Sequence, residues 1–466
     1  LEENMNTLDH WLEIAVGIAW GPQLVVLVLG GGAYLLLRSG FLPLWGLRHG
    51  LDVLRGRFDD PSDPGQISHF QALSTALAST IGLGNIGGVA IAITQGGPGA
   101  VLWMWLAAVV GMATKFFSCT LAVMYRRSDA AGTIPGGPMY TIELGLGRRW
   151  RFLAVFFSTF GLIGCLTIFQ SNQVAGILSQ TYQVAPWQTG LVAMVLVAVV
   201  IVGGVVRIGL VASRLVPAMC ALYFVGALVV VARNAGAVPG ILAQIVHDAF
   251  TGTAAAGGAL GIGVAKVIQI GIKRAAFSNE AGLGTAPMAH GAAKTREPVR
   301  EGLVAMIGPL IDTIVVCSLT AIVILSTGLW RETEGVEGVT LTVRAFEQTL
   351  GGGGRMILVL VAALFGFSTM IGYAYYGRRC FAYLFGGGHE RWYDVFYLLM
   401  LFLGAIWSVG GVINLIDTAF AMMAIPNMLA TLVLAPKVMA ATRDYFARNR
   451  VTEAAASTSP PRSGSA

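Results

Sequence analysis

Residues 76–93, ALASTIGLGNIGGVAIAI, decide the fold. The stretch is apolar enough to lie in a membrane, yet Gly82-Leu83-Gly84-Asn85 interrupts it. Each glycine costs a helix about 1 kcal/mol relative to alanine. Hydrocarbon offers no partner for the backbone that such a break exposes, so protein must line it. The letters recur two hundred residues on, as Gly282-Leu283-Gly284-Thr285 inside FSNEAGLGTAP. Two glycine-interrupted segments in corresponding halves point to the substrate and ion site of a carrier.

The surrounding chain has the composition of an integral membrane protein. Of its 466 residues 55% are hydrophobic and 12% charged, with mean hydropathy +0.72; soluble domains carry about 25% charged residues. Apolar runs predict eleven helical spans, near 20–37, 69–95, 99–125, 152–181, 187–206, 210–232, 258–292, 301–328, 356–377, 393–408 and 410–435. Each matches a hydrocarbon layer roughly 30 Å thick.

Placing the N-terminus outside makes six segments cytoplasmic, the C-terminal tail included, and these hold 22 of the 30 Lys and Arg. The outer segments hold Arg233, Arg331, Arg344 and Arg355. That asymmetry fixes the orientation. The net charge of +6 therefore reports topology and contact with inner-leaflet lipid, and no nucleic-acid-binding module is present. The five cysteines have no paired spacing and the histidines no ligand spacing, so neither a disulfide framework nor a metal centre is expected. No positive n-region of a signal peptide precedes the first span.

The expected organisation is an accessory helix followed by two halves. Residues 1–68 hold the outer N-terminus, the accessory helix and a cytoplasmic linker. Residues 69–232 and 258–435 each form five spans, opened by a broken helix and joined by an outer connector at 233–257. An odd number of spans per half makes the repeats inverted. Residues 436–466 are a cytoplasmic tail, polar and disordered over 452–466. The outer segment 329–355 is acidic and includes an amphipathic helix over the outer mouth.

Several intramembrane residues could carry chemistry. The break at Gly82–Asn85 presents N–H groups that suit a carboxylate and C=O groups that suit Na⁺ or an ammonium. Close helix packing is the alternative use of its glycines. Ser368 and Thr369 offer two hydroxyls, with the Phe365 carbonyl one turn back, either to a cation or to their own helix. Lys115, Lys273, Arg274, Glu280, Asp312 and Asp417 are costly in lipid and each needs a partner or a wet cavity. A structural pair of Asp312 with Lys273 or Arg274 is the simplest arrangement, and Lys115 fits a snorkelling role. Gln170 and Asn172 suit either a zwitterion or a neighbouring helix.

The motifs ISHFQALSTALASTIGLGNIGGVAIAI (67–93), GGPGAVLWMW (96–105), KFFSCTLAVMYR (115–126), GGPMYTI (136–142), FSNEAGLGTAP (277–287), IDTIVVC (311–317) and AIPN (424–427) resemble the alanine-or-glycine:cation symporter family. The resemblance covers about residues 20–440. It implies the five-plus-five inverted-repeat fold of sodium-coupled leucine and neurotransmitter carriers, with discontinuous first and sixth core helices. It also implies symport of a small neutral amino acid with Na⁺, no organic cofactor and a bacterial inner membrane. One Na⁺ is then held by the Ala78, Ile81 and Phe365 carbonyls and the Ser368 and Thr369 hydroxyls. The substrate carboxylate lies at Gly82, Leu83, Gly84 and Asn85, with Gln170, Asn172, Phe277, Ser278 and Asn279 completing the site. The chain departs from the family pattern at Leu83, Ser118 and Thr141, where Thr, Glu and Tyr are usual. Alternatives to this reading are an H⁺-coupled carrier working through Asp312 or Glu280, a transport-fold sensor, and a passive channel. A hydrolase built on Asp312 and Asp417 lacks any nucleophile–base spacing.

Overall fold

In a computed structural model of the chain, Ser68 opens the first broken helix with a reciprocal cap. Its hydroxyl accepts from the Gln71 N–H (3.2 Å) while Gln71 Oε1 accepts from the Ser68 N–H (3.0 Å). The structure describes residues 11, 14–127, 134–251, 263–331, 338–407 and 409–458. Parts of the predicted outer N-terminus, the polar loop 127–148, the start of the span 258–292, the acidic part of 329–355 and the end of the tail lie outside those residues.

Helices account for the described fold, and the one β feature there is an isolated bridge between Ile67 and Ala293. In chain order the main helices are α1 (Pro22–Arg38), α2 (His69–Thr80), α3 (Gly84–Gly96) and α4 (Ala100–Met124). Next come α5 (Arg151–Gly164), α6 (Ile168–Tyr182), α7 (Pro186–Ile201), α8 (Gly204–Arg233) and α9 (Val238–Thr251). The rest are α10 (Val264–Asn279), α11 (Ala286–His290), α12 (Pro298–Thr327), α13 (Val339–Leu350), α14 (Gly352–Phe385), α15 (Glu390–Ile406) and α16 (Val409–Thr458).

By length and composition six of these spans can cross a membrane, α5 and α6 counting as one, and the bent pair α2/α3 is a seventh. α1 and α7 are apolar but shorter; α10 and α15 run to 16 and 17 residues. Several predicted boundaries move. The predicted span 152–181 is kinked at Cys165–Thr167, where Gly161 and Gly164 press α5 onto Cys380, Phe420 and Met423. The turn predicted near 207–209 falls instead at Val202–Gly203, so Arg207 is helical. The helix predicted to end at 435 continues to Thr458. Its polar end is held by Arg448, whose guanidinium donates to Glu297 (2.7 and 3.1 Å), and by the Tyr445–His49 hydrogen bond (2.7 Å). Residues 452–458, expected as part of a disordered tail, are the Ala-containing end of this helix.

Small residues set how closely the helices approach. α14 packs on α2 and α8, and α4 packs on α10 and α12. A Cβ on Gly372 of α14 would lie 2.1 Å from Ser79 Oγ of α2, and one on Gly302 of α12 would lie 2.0 Å from Thr120 Oγ1 of α4. Such sites cannot take a side chain without separating the helices. Gly372→Val is therefore expected to destabilise the fold by about 1–3 kcal/mol, whereas Gly353→Ala, with open space around it, should be neutral. Thermal melting of both purified variants checks this, and an unchanged Gly372→Val melting point refutes the packing account.

Candidate functional site

The first break is a bend of 53° between α2 and α3. Ile81 makes it by turning extended (φ −74°, ψ 90°) just after its N–H closes the last bond of α2, to Leu77 O at 2.7 Å. The two glycines are not there for left-handed backbone. Gly82 permits contact with α14, since a Cβ would lie 2.5 Å from Thr369 Oγ1; Gly84 packs against Phe277, 3.3 Å from where its Cβ would be. The freed Gly82 N–H donates to Asn85 Oδ1 at 3.0 Å. Past the break, Gly84–Gly88 forms a wide π turn, a geometry frequent at functional sites.

Four of the five oxygens predicted to hold Na⁺, those of Ala78, Phe365, Ser368 and Thr369, meet where α14 crosses α2. Ser368 Oγ donates to Ala78 O (3.0 Å) and Phe365 O (2.8 Å), and Thr369 Oγ1 donates to Phe365 O (3.0 Å). All are buried, as is Ile81, whose carbonyl is bonded to the Gly82 nitrogen. Both readings of these hydroxyls meet here: each bonds back to its own helix, and Ser368 also reaches across. Thr80 Oγ1, beside Ile81, is buried without a hydrogen-bond partner.

The second break lies at the repeated letters, not at Phe277–Asn279, which form the last turn of α10. Glu280 (φ 55°), Gly282 (φ 90°) and Gly284 (φ 92°) turn left-handed before α11 begins. Here glycine is needed for its backbone freedom. Phe277 stands between the rings of Phe169 (5.7 Å) and Phe420 (5.5 Å). Ser278 Oγ donates to Asp312 Oδ1 at 2.7 Å, and Asn279 Nδ2 donates to Thr313 Oγ1 at 3.0 Å. Asp312 occupies a second π turn, Leu310–Cys317. It faces Asn85, whose Nδ2 also donates to Asp312 Oδ1. The two breaks thus meet at one carboxylate, whose other oxygen, Oδ2, is buried without a hydrogen-bond partner.

The remaining candidates divide. Gln170 is buried and its Oε1 has no hydrogen-bond partner. Asn172, two residues on and so on another helix face, donates to Gly404 O (3.2 Å) and Trp407 O (2.7 Å) at the end of α15. Leu83 lies against α14, its Cδ1 3.5 Å from where a Gly366 Cβ would be. Lys273 pairs with Asp417 at 2.6 Å, not with Asp312, and the Trp20 indole donates to Asp417 O at 2.9 Å. Arg274 makes no ion pair among the described residues. Lys115 does not snorkel: it is 2% exposed in the middle of α4, near Gly308, and feels both Glu280 and Asp312. Glu280 accepts from Thr285 Oγ1 and Tyr373 OH.

Sequence reasoning passed over Tyr373, Thr313 and Phe420. The hydroxyl beside a buried carboxylate in IDT, and the tyrosines of GYAYY, were the available signals. Within the segment 329–355 a helix is present as expected, α13, and it lies on the first break, with Thr342 Oγ1 donating to Ile86 O at 3.2 Å.

Known proteins resemble this chain over most of its length. The sodium:alanine symporter family profile matches residues 5–458. The sodium/alanine symporter AgcS of Methanococcus maripaludis is 41% identical over 433 residues, 91% of this chain and 94% of the relative. A probable sodium/glutamine symporter, GlnT of Bacillus subtilis, is 37% identical over 94% of this chain and 91% of its own length. The crystal structure of MhsT in complex with L-phenylalanine superposes with a TM-score of 0.59 at 14% identity, over 80% of this chain and 89% of that one. That last likeness is one of fold. With bent α2/α3, interrupted α10/α11 and a family profile over nearly its full length, the chain belongs to the sodium:alanine symporter family, whose members are membrane transporters and not enzymes.

Proposed function

We propose that this protein carries a small neutral amino acid of the alanine or glycine type into the cell together with Na⁺, by alternating access. One observation carries the reading: both breaks converge on the Asp312 carboxylate, whose Oδ2 is buried with no hydrogen-bond partner, as is Gln170 Oε1 on α6. Buried polar atoms are rarely left unsatisfied unless a ligand completes them.

Na⁺ binds Ala78 O, Ile81 O, Phe365 O, Ser368 Oγ and Thr369 Oγ1, and thereby ties α2 to α14. The substrate carboxylate meets the N–H groups at Gly82–Asn85, and Gln170 Oε1 accepts from the ammonium. Phe277, Ser278 and Asn279 close the second side; Asn172 supports the site through α15. The proposed frame is α1 as an accessory helix followed by inverted repeats at 69–232 and 258–435, eleven spans in all. The N-terminus is outside and the C-terminus cytoplasmic, in a bacterial inner membrane. The driving force suffices. One Na⁺ moving through 100 mV yields about 2.3 kcal/mol and a tenfold gradient about 1.4 kcal/mol, which together support roughly 500-fold accumulation.

The relatives' names differ in substrate, alanine for one and glutamine for the other, so the solute must be measured. Uptake of glycine, L- and D-alanine, serine, proline and glutamine into proteoliposomes should be concentrative with a Na⁺ gradient and abolished by choline replacement. Solute that merely equilibrates refutes symport.

The ion site is tested separately. Ser368→Ala combined with Thr369→Ala removes two of five ligands and should raise the Na⁺ concentration for half-maximal uptake about tenfold or more. An unchanged Na⁺ dependence in the folded double variant removes the assignment.

Asp312 supports a second reading, coupling to H⁺, because its carboxylate has one unpartnered oxygen and no ion pair among the described residues. Asp312→Asn keeps the shape and removes the charge. Under Na⁺ coupling the variant needs more Na⁺ and keeps the wild-type pH profile; loss of a pH-driven component would favour H⁺.

A further inference from the structure

Glu301 is fully buried in the first turn of α12, on the N-terminal side of Asp312 in the same helix. Its two oxygens are each taken by a histidine. Oε2 faces Nδ1 of His69, the first residue of α2, and Oε1 faces Nδ1 of His290, the last residue of α11, at 2.5 Å. Both rings are buried as well. One carboxylate therefore grips the same-side halves of both broken helices, at the end that the charge distribution makes cytoplasmic. The backbone repeats the connection. Gln66 N–H donates to Ala292 O and Lys294 N–H to Ile67 O, each at 2.8 Å, and Arg126 Nη1 donates to Ala293 O at 2.7 Å.

We propose that Glu301, His69 and His290 form the inner latch of the transport cycle: α2 and α11 are held against α12 by one shared carboxylate, and access from the cytoplasm requires its release. The proposal rests on the alternating-access reading above and goes beyond it by naming the positioning residues. The chemistry makes the latch two-state. Removing one imidazole leaves half of a buried carboxylate without a donor, an uncompensated cost that favours both bonds or neither. Charge-assisted bonds of this kind are also the stronger ones, so few are needed. Asp59 stands at the rim, 3.8 Å from the far nitrogen of His69.

A reporter is already present. Cys380 of α14 is fully buried, its Sγ 3.9 Å from Met288 Sδ of α11. Displacing α11 uncovers that thiol. The test is the rate at which an impermeant maleimide labels the full-length chain in nanodiscs, with Cys380→Ala identifying the thiol. Without Na⁺, Glu301→Gln and His69→Ala should label Cys380 about tenfold faster than wild type, the scale of one lost charge-assisted bond. His69→Gln, which keeps a donor, should fall between them and wild type. The Na⁺ concentration for half-maximal protection should rise in the same order, because Na⁺ bridging Ala78 and Ser368 opposes the same motion. If Glu301→Gln does not fold, the two His69 variants decide alone. Wild-type labelling rates in folded variants overturn the latch, and so does an equal rise in Gly372→Val, which would mean general loosening. If wild-type labelling does not respond to Na⁺ at all, alternating access fails instead, while the comparison between variants in Na⁺-free buffer still judges the latch.

Discussion

Backbone that leaves a helix inside hydrocarbon must find its partners within the protein, and the rest of this structure depends on how that is done. Three asparagines do most of it. Asn85 Oδ1 accepts the Gly82 N–H, Asn279 Oδ1 accepts the Ala281 N–H at 2.9 Å, and Asn427 Nδ2 donates to Gly282 O at 2.8 Å. An asparagine side chain mimics a peptide group, so each replaces a bond the helix has lost. The same groups then aim the site: Asn85, having closed its own break, turns its amide nitrogen to Asp312 and so joins the two breaks.

The two breaks share letters but not physics, and that limits what a sequence can tell. In the first, Gly82 and Gly84 are needed for contact with Thr369 and Phe277; in the second, Gly282 and Gly284 are needed for positive φ. A three-letter match shows neither difference. The membrane class, the bend at GLGN and the meeting of Ser368 with Ala78 were legible, because hydropathy, glycine placement and polar residues in apolar helices are local signals. The pairing of Lys273 with Asp417 was not, because a chain gives no distances: Asp312 and Asp417 look alike as letters in LIDT. The histidines were weighed only as metal ligands, and nothing local shows that residues 69, 290 and 301 meet.

Long-range electrostatics complete the arrangement at both ends of the core. The Lys273–Asp417 pair ties α10 to α16 and is covered by Trp20, just before α1, with Gln269 holding the Trp20 carbonyl at 2.8 Å. The accessory helix α1 thus bears on the half-helix that ends in Phe277–Asn279. At the opposite end Glu301 does the same for α2 and α11. The second broken helix is thus held on both halves, α10 through Asp417 and α11 through Glu301, and the first on α2 alone.

Lys115 is a further buried cation, beside Gly308 of α12. Ser118 hydrogen-bonds the Lys115 carbonyl on its own helix at 3.4 Å and brings no charge. Lys115 therefore answers to carboxylates on other elements, Glu280 at the second break and Asp312 opposite the first. With all three ionised the trio carries one net negative charge in a low-dielectric core, which is costly. Under the proposed symport, an added monovalent cation removes that deficit. Cation binding is then favoured most when both breaks are assembled around Asp312. Under that same proposal coupling rests on charge balance and needs no wire between the sites.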